Sequence, residues 1–122
     1  MTRIALVEDN PDNRLLVRAI LADLYDIEEY ESGPDALAGI RADRPALVLL
    51  DISLPGMDGT AVLAALRADP ELKDLPVIAL TAHAMAGDRE KYLGLGFDAY
   101  VTKPIVDEQV LIDGIAQLLR SS

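Results

Sequence analysis

"ALVLLDISLPGMDG", residues 46–59, begins with five apolar residues in a row, Ala46 to Leu50, and then turns abruptly to acid at Asp51. A strand with one wet face alternates apolar and polar side chains. This run does not alternate, as expected of a central strand covered on both faces in a parallel sheet. It is far too short to cross a bilayer. Gly56 and Met57 belong to the loop after Asp51 and are read as giving that loop its shape.

Similar short apolar segments lie on either side: Ile4–Val7, Ile27–Tyr30, Val77–Leu80 and Ala99–Val101. Stretches of helical spacing separate them. Leu16, Ile20 and Leu24 follow at four-residue steps, Val62, Leu63 and Leu66 mark a helix after the third strand, and Leu111, Ile115, Leu118 and Leu119 mark the last. The boundaries carry matching punctuation. Asn10-Pro11 reads as an N-cap and first helical residue, and Ser32 with Asp35 as a capping box with Asp in place of Glu. Asp69-Pro70 ends the third helix, and Gly94 and Gly96 close the fourth. Strand and helix thus alternate along the chain, which gives a parallel sheet with right-handed crossovers and helices on both faces. Ligands of such sheets bind outside the carboxyl ends of the strands, where the winding reverses.

The 122 residues fit one domain, 1–122, with no internal repeat or linker, and about half of them are apolar, enough for a substantial core. Eleven basic against 21 acidic residues give a net charge of −10, which argues against nucleic acid and against an anionic membrane as partners. The chain has no cysteine, which excludes disulfides and thiolate metal sites. Its N-terminus lacks the apolar segment of a signal peptide, so a cytoplasmic protein is expected.

Most of the acid is read as a solubility device. The exceptions stand at strand ends. Glu8 and Asp9 leave the first strand, Asp51 the third, Thr81 the fourth and Lys103 the fifth. Glu8 and Asp9 read alternatively as a charge pair favoured by the dipole of the first helix, Thr81 as a helix cap and Lys103 as a surface partner of Asp51. Three carboxylates in one crevice repel unless a cation intervenes. Hard oxygen ligands without thiolate favour Mg²⁺ over zinc. A metal, a lysine and a hydroxyl converging on one carboxylate is what phosphoryl transfer to that carboxylate requires.

"LVEDN", "LLDISLPGMDG", "ALTAHA" and "AYVTKP", in this order and spacing, resemble the receiver domain of bacterial two-component response regulators, over essentially the whole chain. The resemblance implies a flavodoxin-like (CheY-like) doubly wound α/β fold, a five-stranded parallel sheet of strand order 2-1-3-4-5. With no output domain following, the chain is similar to single-domain regulators; "VEDN" and "LTAHAM" also resemble receivers attached to hybrid histidine kinases. The resemblance makes Asp51 the phosphoacceptor, supplied by a histidine kinase or a histidine phosphotransfer protein. Asp9 and Asp51 ligate Mg²⁺ (Mn²⁺ in its place), Glu8 holds a metal-bound water and the backbone carbonyl of Ser53 completes the site. Lys103 pairs with a phosphoryl oxygen, Ala82 leaves room for the group and binds it through its N–H, and Lys103-Pro104 carries a cis peptide bond. Such a chain is a phosphoacceptor signalling protein, not an enzyme acting on others, and is expected as a monomer or weak dimer.

The resemblance also implies a switch. Thr81 turns toward the phosphoryl group, Tyr100 rotates inward, and the face formed by the fourth helix, fifth strand and fifth helix changes for a downstream target. Tyr100 reads alternatively as a fixed, half-buried aromatic. Gly87, Gly94 and Gly96 suit a moving fourth helix. His83 reads as an exposed loop residue, and with Ser53 it flanks the pocket, where both tune dephosphorylation. Leu15 leads an apolar surface on the first helix that suits a phosphodonor helix bundle, or is a scattered exposed leucine. Rival readings lack essential parts: a flavodoxin's phosphate loop would not carry Glu8 and Asp9, an aspartyl phosphatase wants an acid where Ser53 stands, and a GTPase needs a Gly-rich loop. Three variants of the reading stay open: a receiver excised from a hybrid kinase, a phosphate sink, and an unphosphorylated docking module.

Overall fold

The computed structural model describes residues 1–82, 88–103, 105 and 107–121. Five strands, β1 (Arg3–Val7), β2 (Asp26–Tyr30), β3 (Leu47–Asp51), β4 (Val77–Thr81) and β5 (Ala99–Thr102), form one parallel sheet in the order 2-1-3-4-5. Between and after them run α1 (Pro11–Leu21), α2 (Gly33–Ala42), α3 (Gly59–Ala68), α4 (Asp88–Leu95) and α5 (Glu108–Ser121). The sequence-derived order and strand positions agree with this topology to within a residue or two.

The sheet divides the interior into two cores through the period-two alternation of its strands. Ala5, Val7, Val48, Leu50, Val77 and Ala79 face α2, α3 and α4, meeting Leu37, Ile40, Val62, Leu66, Tyr92 and Phe97. Ile4, Leu6, Leu47, Leu49, Ile78 and Leu80 face α1 and α5, meeting Val17, Leu21, Leu111 and Ile115. Every residue of β3 is buried, as its unbroken apolar run predicts. Full burial of such a side chain contributes roughly 1.5–3 kcal/mol before the entropy of ordering is set against it.

The caps fall where the sequence places them. Asn10 Oδ1 accepts from the N–H groups of Asp12 (2.8 Å) and Asn13 (3.4 Å), and Ser32 Oγ accepts from Asp35 N–H (3.3 Å). Two details differ from the sequence reading. The buried positions of α1 are Val17 and Leu21, while Leu24 lies beyond the helix and is exposed, because the chain turns on the Leu21 carbonyl to enter β2. Gly94 lies inside α4, and Gly96, at φ +113°, makes the turn that follows it.

Arg67 is a structural residue with no sequence signature. Its guanidinium donates to the carbonyls of Gly96 (2.7 Å), Lys73 (3.0 Å) and Leu75 (2.7 Å) and to Asp98 Oδ2 (3.0 Å), which also accepts from Val77 N–H (2.8 Å). The end of α4 is thereby pinned to the start of β4.

The loop after β3 is held as tightly. Gly59 donates its N–H to the Ile52 carbonyl (2.9 Å), so closely that a Cβ there would collide with the Asp51 carbonyl and stand 2.8 Å from Ile52 Cα. Gly56, in open space, has φ +78°, which favours glycine. Gly59→Ala is therefore expected to lower stability by about 1–3 kcal/mol in urea titrations and to displace the end of β3, whereas crowding that the loop absorbs would leave the midpoint unchanged.

Candidate functional site

Alternation carries through to the strand ends and decides which side chains meet. Glu8 continues the series Ile4–Leu6, Asp51 the series Leu47–Leu49, and Lys103 follows Val101, so all three emerge on the α1/α5 side of the carboxyl edge. Thr81 continues Val77–Ala79 and emerges on the other side.

The three carboxylates converge. Glu8, Asp9 and Asp51 each offer an oxygen within 4.8 Å of the others, a spacing that could hold a divalent cation. Glu8 and Asp51 are buried and Asp9 is exposed, so the cluster opens to solvent on one side. The Lys103 ammonium bridges the two buried acids, 3.0 Å from Asp51 Oδ1 and 3.2 Å from Glu8 Oε1. Its backbone is anchored to β4 by a 2.7 Å bond from Lys103 N–H to the Thr81 carbonyl. Asp51 Oδ1 also accepts from Ser53 N–H (3.0 Å), and Glu8 Oε2 from Asn10 N–H (3.3 Å).

Crowding sets the protonation. Burial, a hydrogen bond shared with Asp51 and the Asp51 charge push the Glu8 carboxyl up from 4.5 to about 7, against the pull of the Asn10 N–H and Lys103. Burial alone would lower the Lys103 ammonium, but the hydrogen bonds and charges of Asp51 and Glu8 outweigh it and leave it raised.

Thr81 is buried, and its hydroxyl lies 3.1 Å from the hydroxyl of Tyr92 on α4. Ala82 is exposed in the bend after β4. Tyr100 is half-buried on β5, its ring 6.2 Å from that of Tyr92. His83 and Pro104, with the cis bond expected there, lie outside the described residues, as does Gly87.

Two residues near this edge escaped sequence reading. Arg14 Nη1 donates to the carbonyls of both Glu8 (2.9 Å) and Asp9 (3.0 Å), while the rest of its guanidinium meets Glu29 and Glu31. It therefore fixes the backbone from which two of the acids hang. Tyr92 is not singled out in the sequence. A Tyr two residues before a Gly carries no polar signal, and none marks Arg14 either.

Fold and edge together define a doubly wound, flavodoxin-like domain with an acid-lined cleft. The response regulator receiver domain family matches residues 4–116, and the chain belongs to it. Among its relatives is the sensor protein GacS of Pseudomonas syringae pv. syringae, 40% identical over 112 residues, which are 88% of this chain and 12% of GacS. The chain thus spans only a small part of that relative. The polar-differentiation response regulator DivK of Brucella anthropi is 43% identical over 103 residues, 84% of either chain. The receiver domain of the sensor histidine kinase PA1611 from Pseudomonas aeruginosa PAO1, solved with a magnesium ion coordinated in the active-site cleft, superposes with a TM-score of 0.88 at 33% identity over 98% of both chains. Receiver domains are signalling modules that bind Mg²⁺ in the active site and interact with histidine kinases or phosphotransfer proteins. Among the described residues no helix is long and apolar enough to cross a membrane.

Because Glu8 binds its proton more tightly when folded, its contribution to stability is full below about 4.5 and is lost as pH rises through about 7. In metal-free buffer the urea midpoint is expected to fall between roughly pH 5 and pH 8, and less so in Glu8→Gln. Parallel pH profiles for the two proteins would show that Glu8 ionises as an ordinary glutamate.

Proposed function

We propose that Asp51 accepts a phosphoryl group from a phosphohistidine on a histidine kinase or histidine phosphotransfer protein. An Asp51 carboxylate oxygen forms the new bond to phosphorus as the phosphorus–nitrogen bond of the donor breaks, and its electron pair leaves on the imidazole nitrogen. The observation that carries this reading is the Lys103 ammonium seated between two buried carboxylates, 3.0 Å from Asp51 and 3.2 Å from Glu8, beside an exposed third acid. A purely structural cluster has little reason to leave one edge open to water with three acids on it.

The donor set fits a hard divalent ion. Asp9, Asp51 and the Ser53 carbonyl would hold Mg²⁺, or Mn²⁺ in its place, with Glu8 acting through a bound water. When bound, the ion supplies positive charge against the phosphoryl oxygens. Lys103 neutralises another phosphoryl oxygen as a compact charge, and the Ala82 N–H donates to the group. Arg14 keeps the Glu8 and Asp9 carbonyls in place. Ser53 sets how readily water reaches the acyl phosphate, a role that the sequence reading also gives to His83, which lies outside the described residues.

Phosphorylation adds roughly one and a half to two negative charges. Thr81 donates to the new oxygens, Tyr100 changes its packing, and the surface formed by α4, β5 and α5 changes for a downstream target. A shallow groove lined by Leu93, Tyr100, Val110 and Leu118 runs along that surface. Leu15, 68% exposed on α1, offers an apolar contact to the phosphodonor's helices. The likeness to DivK supports a regulator whose receiver stands by itself, acting as a monomer or weak dimer; the likeness to GacS supports a second reading, a receiver within a hybrid kinase.

Incubation with acetyl phosphate and Mg²⁺ should add one phosphoryl mass to the intact protein, and Asp51→Asn should abolish the gain. A gain that survives in Asp51→Asn would move the acceptor elsewhere. Arg14→Ala should weaken Mn²⁺ binding in calorimetry by about tenfold, the usual effect of releasing a group that orients ligands. Unaltered affinity would confine Arg14 to its ion pairs.

A further inference from the structure

The expected switch runs from Thr81 on β4 to Tyr100 on β5. In the folded protein a third residue stands between them. Tyr92 is 4% exposed and Thr81 1% exposed, and their hydroxyls lie 3.1 Å apart. The Tyr92 ring packs edge-on against Phe97, with centroids 6.1 Å apart, and tilted against Tyr100 at 6.2 Å. Alternation along β4 produces this arrangement, because Thr81 projects to the side of the sheet on which α4 lies.

We propose that Tyr92 is a positioning residue that holds the Thr81 hydroxyl in the resting state and passes its movement on to Tyr100. The proposal rests on the phosphoacceptor reading of Asp51. A threonine hydroxyl has one proton, and bonding to a phosphoryl oxygen commits it in one direction. Turning Thr81 toward that oxygen draws its hydroxyl away from Tyr92, whose own hydroxyl is too deeply buried to find water freely. A buried hydroxyl without a partner is costly, so the tyrosine must repack, and its nearest aromatic neighbour on β5 is Tyr100. The resting bond thus opposes activation, and its strength sets how much of the unphosphorylated protein has Thr81 available.

Beryllofluoride with Mg²⁺, a stable stand-in for a phosphoryl group on a carboxylate, tests this by fluorine NMR titration of the wild type, Tyr92→Phe, Thr81→Ala and the double variant. Phenylalanine keeps the ring and removes the hydroxyl. Tyr92→Phe should bind beryllofluoride roughly three- to tenfold more tightly than the wild type, the range expected for one net hydrogen bond released, with affinity for Mg²⁺ alone unchanged. That gain should disappear in the Thr81→Ala background. A packing effect of the substitution would persist there. In the wild type, with no variant involved, the labelled Tyr92 ring resonance should shift on adding beryllofluoride together with that of Tyr100. Equal or weaker binding by Tyr92→Phe, a gain that survives in Thr81→Ala, or a Tyr92 resonance that stays fixed would overturn the proposal. Failure of the wild type to bind beryllofluoride at all would instead overturn the phosphoacceptor reading beneath it.

Discussion

The arrangement at the carboxyl edge depends on one buried cation. Glu8 and Asp51 are almost without solvent, and at ε of about 20 two charges 4 Å apart interact by roughly 4 kcal/mol, so the pair would not stay ionised together unaided. Lys103 meets both, and burial together with the neighbouring Asp51 pushes the Glu8 carboxyl up to about 7. A lysine suits this position better than an arginine, since a compact ammonium on a flexible stem can serve two acids and still turn to an incoming anion. Its place is secured from outside the cluster, by the bond from its own N–H to the Thr81 carbonyl. The same backbone contact that closes the sheet therefore sets the charge balance of the cleft.

Strand alternation organises what surrounds that cation. Glu8, Asp51 and Lys103 fall on the α1/α5 side, and Thr81, Tyr92 and Tyr100 on the α4 side, so charged and hydroxyl-bearing groups occupy opposite faces of one sheet edge. Thr81, at the end of β4 next to Asp51's strand, has its backbone in contact with Lys103 and its side chain against Tyr92. Structural rigidity is distributed accordingly. Arg67 fastens the far end of α4 with bonds to three carbonyls, and Gly59 presses the β3 loop against Asp51's own carbonyl.

Much of this was legible in the residues. The unbroken apolar run of β3 announced a central strand, Asn10 and Ser32 marked helix starts, and four strand ends in acid, hydroxyl or lysine located the cleft. What could not be read were contacts between residues with no periodic or compositional signature. Arg67 reaches Gly96 across 29 positions, and Arg14 turns back onto carbonyls. The four-residue steps that picked out Leu24 ran past the true end of α1, because that end is set by where the chain must turn to reach β2, and not by the helix itself.

The sequence alone determined the parallel α/β order and the identities of the groups at the cleft, because both follow from local patterns: the two-residue period, the caps and the residue at which each strand stops. Only the tertiary structure decided which partner each group takes. That Lys103 serves Glu8 as well as Asp51, that the Glu8 carboxyl is pushed up to about 7, and that Thr81 rests against Tyr92 depend on burial and on distances between elements far apart in the chain. Those are properties of packing, and no single stretch of residues contains them.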